Sequence, residues 1–253
     1  MAEYLSPRPD GGLNWGPLTE GRLVRRYKRF LADVELASGE FVTAHTPNTG
    51  SMLGCSEPGR RVWLSSHDAP SRKYKYTLEM IEMPASPRRR GATDTEVLVG
   101  VNTGVPNKLV KAAAVAGKIP EFPFPVTAIP EVRRGNSRLD LMLSTDNGGE
   151  VMVEIKNCSL VENGTALFPD AVTARGRKHL EELAALSGEG KRAVLLILAQ
   201  RADAEQFRPA DHIDPAWGRE LREATRKGVE LLAYTASLDF SRIRLGDRLP
   251  AIL

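Results

Sequence analysis

A chain of 253 residues carrying a net charge of +3 is long enough for one large or two modest globular domains, and two are expected. Its only cysteines, Cys55 and Cys158, lie far apart with no CxxC or His/Cys cluster, which excludes a disulfide framework and a structural zinc site. No apolar run is long enough to span a bilayer and Met1 to Trp15 is unlike a signal peptide, so a soluble, cytoplasmic chain with no membrane role is expected.

In chain order, Arg22 to Leu36, Phe41 to His45, Arg61 to Ser65 and Lys73 to Met80 read as strands, with turns between them and no convincing helix. Short strands at this spacing suggest a small closed barrel, for which the OB-fold is the common nucleic-acid-binding form. The positive charge gathers here: residues 20–90 hold 13 Lys/Arg against 8 Asp/Glu, whereas residues 91–253 hold 21 against 22. Arg22, Arg25, Arg26, Lys28 and Arg29 fall on one predicted strand and repel one another unless an anion is near, so they are candidate phosphate contacts. Lys73, Tyr74 and Lys75 interleave cations with an aromatic, which suits base stacking as well as it suits a solvated strand face capping the barrel. His45 to Met52, with hydroxyls at Thr46, Thr49 and Ser51, reads equally as a phosphate-holding loop or a structural turn.

Pro84 to Gly91 is composed like a linker, which sets an expected division into residues 1–84, the OB-like domain, and 85–253. Beyond it, Glu96 to Val101 reads as a strand and Asn107 to Ala116 as a helix opened by Pro106 and closed by Gly117. Strands follow at Pro125 to Arg133, Arg138 to Leu143 and Val151 to Lys156. A helix from Asp170 to Leu186, with Asp170 as N-cap, precedes the unbroken apolar run Ala193 to Ala199, the pattern of a strand buried on both faces. A last helix, Pro215 to Lys227, delivers the chain into Val229 to Tyr234. Alternating helices and strands in this order define an α/β sandwich with a mixed sheet, and the whole chain an α+β protein of two domains.

The second and third strands of that series form a hairpin whose Asn147-Gly148 pair marks the turn. Symmetry about Asn147 makes Asp140 and Glu154 cross-strand neighbours, where two carboxylates repel unless something compensates. Lys156 shares the face of Glu154, whereas Val151, Val153 and Ile155 point into an apolar core. Two hard oxygen donors beside an ammonium suit Mg²⁺ or Mn²⁺, with Asp140 and Glu154 as ligands and Lys156 stabilising charge in phosphodiester hydrolysis. Asp, then Glu-x-Lys, also arises on ordinary solvent-facing hairpins; the helix before and the helix and buried strand after are what favour the PD-(D/E)XK nuclease motif. Near the start of the following helix, Lys178 is favoured over His179 for substrate contact.

The chain resembles the sugar fermentation stimulation protein A (SfsA) family over nearly its whole length. The resemblance rests on Arg25 to Asp33, His45 to Met52, Arg72 to Tyr74, Val101 to Thr103, Ser137 to Asp140, Val153 to Lys156, Phe168 to Thr173 and Lys178 to Leu180. It implies an N-terminal OB-like domain, a C-terminal PD-(D/E)XK nuclease-like domain, DNA binding with little sequence preference and a regulatory link to maltose metabolism. The chain departs from the family at Ala112, where the resemblance implies a Glu near the metal. Three functions follow as expectations: a nonspecific DNA binder with a divalent-metal site, acting on duplex, single-stranded or branched DNA; an active Mg²⁺-dependent nuclease; or a non-catalytic regulator that keeps the scaffold.

Overall fold

The structure is a computed structural model that describes residues 4–67, 72–86, 95–134 and 137–253. Most of the expected linker, with Arg88 to Arg90, lies outside the described residues. The chain opens with two short strands, β1 (Leu5–Pro7) and β2 (Leu13–Trp15). A barrel follows, made of β3 (Leu18–Tyr27), β4 (Leu31–Leu36), β5 (Phe41–His45), β6 (Arg61–Ser66) and β7 (Tyr76–Pro84). Their order is β5-β4-β3-β6-β7, and the parallel pairs Ala44 with Tyr76 and His45 with Thr77 join β5 to β7 and close the ring. Strand period explains the core: Ala32, Val34 and Leu36 turn inward with Val62, Leu64 and Leu78, while Glu35 between them is exposed.

Two sequence expectations change here. Arg22 to Leu36 is not one strand, because Lys28 and Arg29 adopt left-handed backbone (φ 49° and 65°) and turn the chain from β3 into β4; both cations therefore sit on a hairpin turn. Lys73, Tyr74 and Lys75 precede β7, since ladder pairing and burial begin only at Tyr76 and Thr77. The Lys/Tyr alternation imitated a strand's period without the apolar partners that make one.

The remaining elements are β8 (Glu96–Gly100), α1 (Val105–Val115), β9 (Thr127–Arg134), β10 (Ser137–Ser144), β11 (Glu150–Cys158), β12 (Val161–Glu162) and β13 (Thr165–Phe168). After them come α2 (Ala174–Gly188), β14 (Arg192–Ala199), β15 (Gln206–Pro209), α3 (Pro215–Arg226), β16 (Glu230–Leu238) and β17 (Arg242–Arg248). The large sheet has the order β1-β2-β17-β16-β14-β11-β10-β9, with β11, β14 and β16 parallel. Helix α1 covers one face, packing Leu109, Val110 and Ala113 in the layer of Val153, Ile155 and Leu196. Helices α2 and α3 cover the other, packing Leu180, Leu183, Trp217 and Leu221 in the layer of Met152, Leu195 and Ile197. Covered on both sides, β14 has no solvent face to make polar, which is why its sequence is an unbroken apolar run.

Helix α2 begins later than expected: Thr173 is its N-cap, its hydroxyl accepting the Gly176 N–H at 2.9 Å. Asp170 is thereby released for another task. The sheets also exchange chain. β1 and β2 extend the large sheet through β17, and β8 pairs with β7 of the barrel. Among the described residues no helix is long and apolar enough to cross a membrane.

Candidate functional site

The hairpin of β10 and β11 pairs Leu141 with Val153, Met142 with Met152 and Leu143 with Val151, the register centred on Asn147. The ladder ends at Leu141–Val153; Asp140 and Glu154, the next residue on each strand, line one cleft and lie close enough for the charge of Glu154 to act on Asp140. Asp140 is held by two donors: its Oδ1 accepts from Asn107 Nδ2 at 2.9 Å and its Oδ2 from the Ile155 N–H at 2.8 Å. Asn107 stands in the first turn of α1, which Pro106 helps to start and whose first amides begin beside the Asn102 side chain, an acceptor for the Gly104 N–H at 2.9 Å.

Glu154 is held on one oxygen only. Its Oε1 accepts from Lys156 Nζ at 2.6 Å and is in close contact with His179 Nδ1, and Lys156 Nζ lies 3.0 Å from the same ring nitrogen. Its Oε2 is buried without a hydrogen-bond partner. Burial, and then the charge of Glu154, raise the pKa of Asp140. Burial acts on Glu154 too, but His179 and Lys156 outweigh it and leave that carboxyl below its ordinary value. Environment thus splits the pair, with Glu154 the more readily ionised of the two.

These acids line a cleft of about 280 Å³ whose far wall comes from the barrel loop Asn48, Thr49 and Gly50. Arg26 fixes that loop, donating to the carbonyl oxygens of Asn48 (3.0 Å), Gly50 (2.8 Å) and Ser51 (3.1 Å). Asp170 ties the loop to the approach to α2: its Oδ2 accepts the Met52 N–H at 2.9 Å and the Ser51 hydroxyl at 3.0 Å. The barrel therefore supplies one side of the cleft and the α/β layer the other.

The structure brings Asp140, Glu154 and Lys156 together; the other sequence candidates are spread over the barrel and α2. Arg26 is the loop clamp just described. Arg22 donates to the Gly59 carbonyl at 3.0 Å and Arg25 pairs with Asp33 at 2.8 Å. Lys28 and Arg29 are exposed on the β3–β4 turn, and Lys73 and Lys75 are exposed over the rings of Tyr74 and Tyr76. Lys178 is exposed and lies 3.7 Å from Glu182, whereas its neighbour His179 reaches Glu154. Helical phase carries the signal: His179 shares a face with buried Leu183 four residues on, and Lys178 with the polar Glu182. Asn107 was not singled out from the sequence, because its role depends on contact with a distant strand, whereas Asn48 to Gly50 lie in the His45 to Met52 loop that was weighed as a phosphate-holding loop or a turn and that here lines the cleft. Ala112 supplies only a methyl, packed on the core of the α1 layer, and no group of three or more His, Cys, Asp or Glu side chains forms a ligand set among the described residues.

A closed OB-type barrel joined to an α/β sandwich with a mixed sheet, with a carboxylate pair at their junction, defines the class of protein. Residues 24–89 match the family model described as the SfsA N-terminal OB domain, and residues 104–242 that described as the sugar fermentation stimulation protein RE domain. The chain is 49% identical over 238 residues to a sugar fermentation stimulation protein homolog of Citrifermentans bemidjiense, covering 94% of this chain and 98% of the relative. It is 48% identical to a homolog of the same description from Geobacter sulfurreducens, covering 93% and 97%. The structure of Pyrococcus furiosus SfsA in complex with Ca²⁺ aligns over 100% of both chains with a TM-score of 0.84 and 26% identity. The chain belongs to the sugar fermentation stimulation protein (SfsA) family.

Proposed function

We propose that this protein binds DNA with little sequence preference and holds Mg²⁺ or Mn²⁺ between Asp140 and Glu154, against a phosphodiester. The observation that carries this reading is Glu154 Oε2, a buried carboxylate oxygen with no donor of its own, in a residue that shares its cleft with Asp140. An acceptor left so costs roughly 1–3 kcal/mol, more when charged, and a cation removes that cost. Oxygen donors alone suit a hard divalent ion, and the Ca²⁺ complex of the Pyrococcus furiosus relative supports the same chemistry.

A divalent ion held there would polarise a phosphoryl oxygen and acidify a bound water. Asn107 orients Asp140, and His179 and Lys156 occupy Oε1 of Glu154, which leaves Oε2 as the oxygen that would hold the ion. Lys156 Nζ, fixed at 2.6 Å from Glu154, stands where it can balance negative charge developing on phosphate. In this reading the exposed cations Arg22, Lys28, Arg29, Lys73 and Lys75 supply phosphate contacts across the barrel. The setting is cytoplasmic, where DNA and Mg²⁺ are both at hand.

A second reading, binding without cleavage, is favoured by Ala112, which offers no acid: of the three carboxylates that line the cleft among the described residues, Asp170 is already bonded to the barrel loop at Ser51 and Met52, which leaves Asp140 and Glu154. The nuclease scaffold would then serve regulation, consistent with the sugar-fermentation role in the family's description. Incubating the protein with plasmid and single-stranded DNA in Mg²⁺, Mn²⁺ or EDTA separates the two. Nicking that needs the metal and disappears in Asp140→Asn establishes the enzyme. Gel retardation indifferent to EDTA and to that substitution establishes the binder, and no retardation at low salt overturns the DNA reading altogether.

A further inference from the structure

Asp140 and Asn107 line two cavities. Besides the acid cleft, they line a groove of about 680 Å³ beside α1, within the roughly 300–1,000 Å³ of sites that hold small organic ligands. Lys108, Lys111, Ala112 and Val115 recur at helical spacing along it, while Leu5, Leu13 and Pro130 complete an apolar lining. Val115 is 47% exposed, and the small side chain of Ala112 adds little bulk to the wall. Lys108 lies over the Tyr4 ring at 4.9 Å, and Lys111 has no ion-pair partner among the described residues. Besides Asp140, Glu131 is the one acid in the lining, and Arg138 engages it at 2.6 Å.

We propose that this groove is a second nucleic-acid subsite, which takes the unpaired nucleotides flanking the phosphate held at Asp140 and Glu154. The inference rests on the DNA reading above and narrows its substrate to DNA with a single-stranded segment. Two features select that occupant. An apolar floor rewards the faces of unstacked bases, which a duplex hides, while two lysines meet the phosphates between them. The groove also shares Asn107 and Asp140, the carboxylate that would hold the metal, with the cleft, so a strand passing that acid meets both surfaces.

Anisotropy titrations of the full chain in Ca²⁺, with a single-stranded oligonucleotide and a duplex of equal length, test the assignment. Ala112→Leu fills the floor and Lys111→Met removes a cation; neither touches the acid pair. Each is expected to weaken single-strand binding about tenfold, the first by displacing a base from the apolar floor and the second by losing a phosphate contact, and duplex binding by less than about twofold. Variants that bind both DNAs like the parent, or lose both equally, overturn the groove but leave the DNA reading standing. A parent protein that binds neither DNA overturns both. A change in the mass of Ala112→Leu by light scattering overturns the proposal by assigning the groove to a second copy of the chain.

Discussion

Asn107 on α1 donates to Asp140 on β10 at 2.9 Å, so a helix from one layer orients an acid projecting from the next. Partners of a metal ligand typically change affinity 10- to 100-fold when removed. Asn107→Ala is therefore expected to weaken Ca²⁺ binding about tenfold, measured by calorimetry. Unchanged affinity would show that the Ile155 N–H alone positions the carboxylate.

Arg26 and Arg25 are neighbours in sequence with opposite expectations. Arg26→Ala breaks three charged bonds to loop carbonyls and should lower stability by about 2–3 kcal/mol in urea unfolding. Arg25 forms an exposed pair with Asp33, and Arg25→Ala should leave the urea midpoint in place. Equal losses would mean that Arg26 is not the clamp.

Glu79 carries a pH signature. Burial pushes its carboxyl up to about 6 from an ordinary 4.5, against the hydrogen bonds of Ser65 and Asn102. The fold holds this proton more tightly than the unfolded chain does, so stability falls as pH rises from 4.5 to about 6. The loss amounts to roughly 2 kcal/mol at 1.36 per unit. Glu79→Gln should flatten that limb of the stability curve, and a parent curve that is already flat there would refute the assignment.

Phosphate-led binding has a salt signature. Lys73 and Lys75 are exposed, and replacing either with Met should reduce the slope of log affinity against log salt by about one contact. A parent protein whose affinity ignores salt would remove the barrel from the interface.

The hairpin was legible because its turn and its apolar alternation are local: Asn147-Gly148 marks the turn, and the register centred on it pairs Leu141 with Val153 as expected. The buried β14 was legible for the same reason. Arg26 was not, since a guanidinium on a strand looks the same whether its partner is a phosphate or the carbonyls of a loop more than twenty residues away. Asp170 failed similarly: a short acid before a helix reads as a cap, yet Thr173 lies one position before the helix and Asp170 spends its Oδ2 on the barrel loop. β1, β2 and β12 are too short to show any period, so their pairing could only be seen in space.

The traded strands have a thermodynamic corollary. With β8 completing the edge of the barrel and β1–β2 completing the edge of the large sheet, neither half owns all of its own hydrogen bonds. Severing the chain between residues 87 and 94 would strip each piece of an edge strand without separating two finished bodies. The halves should melt cooperatively, as a single calorimetric peak, so that whatever stabilises the acid cleft also stabilises the barrel on its far side.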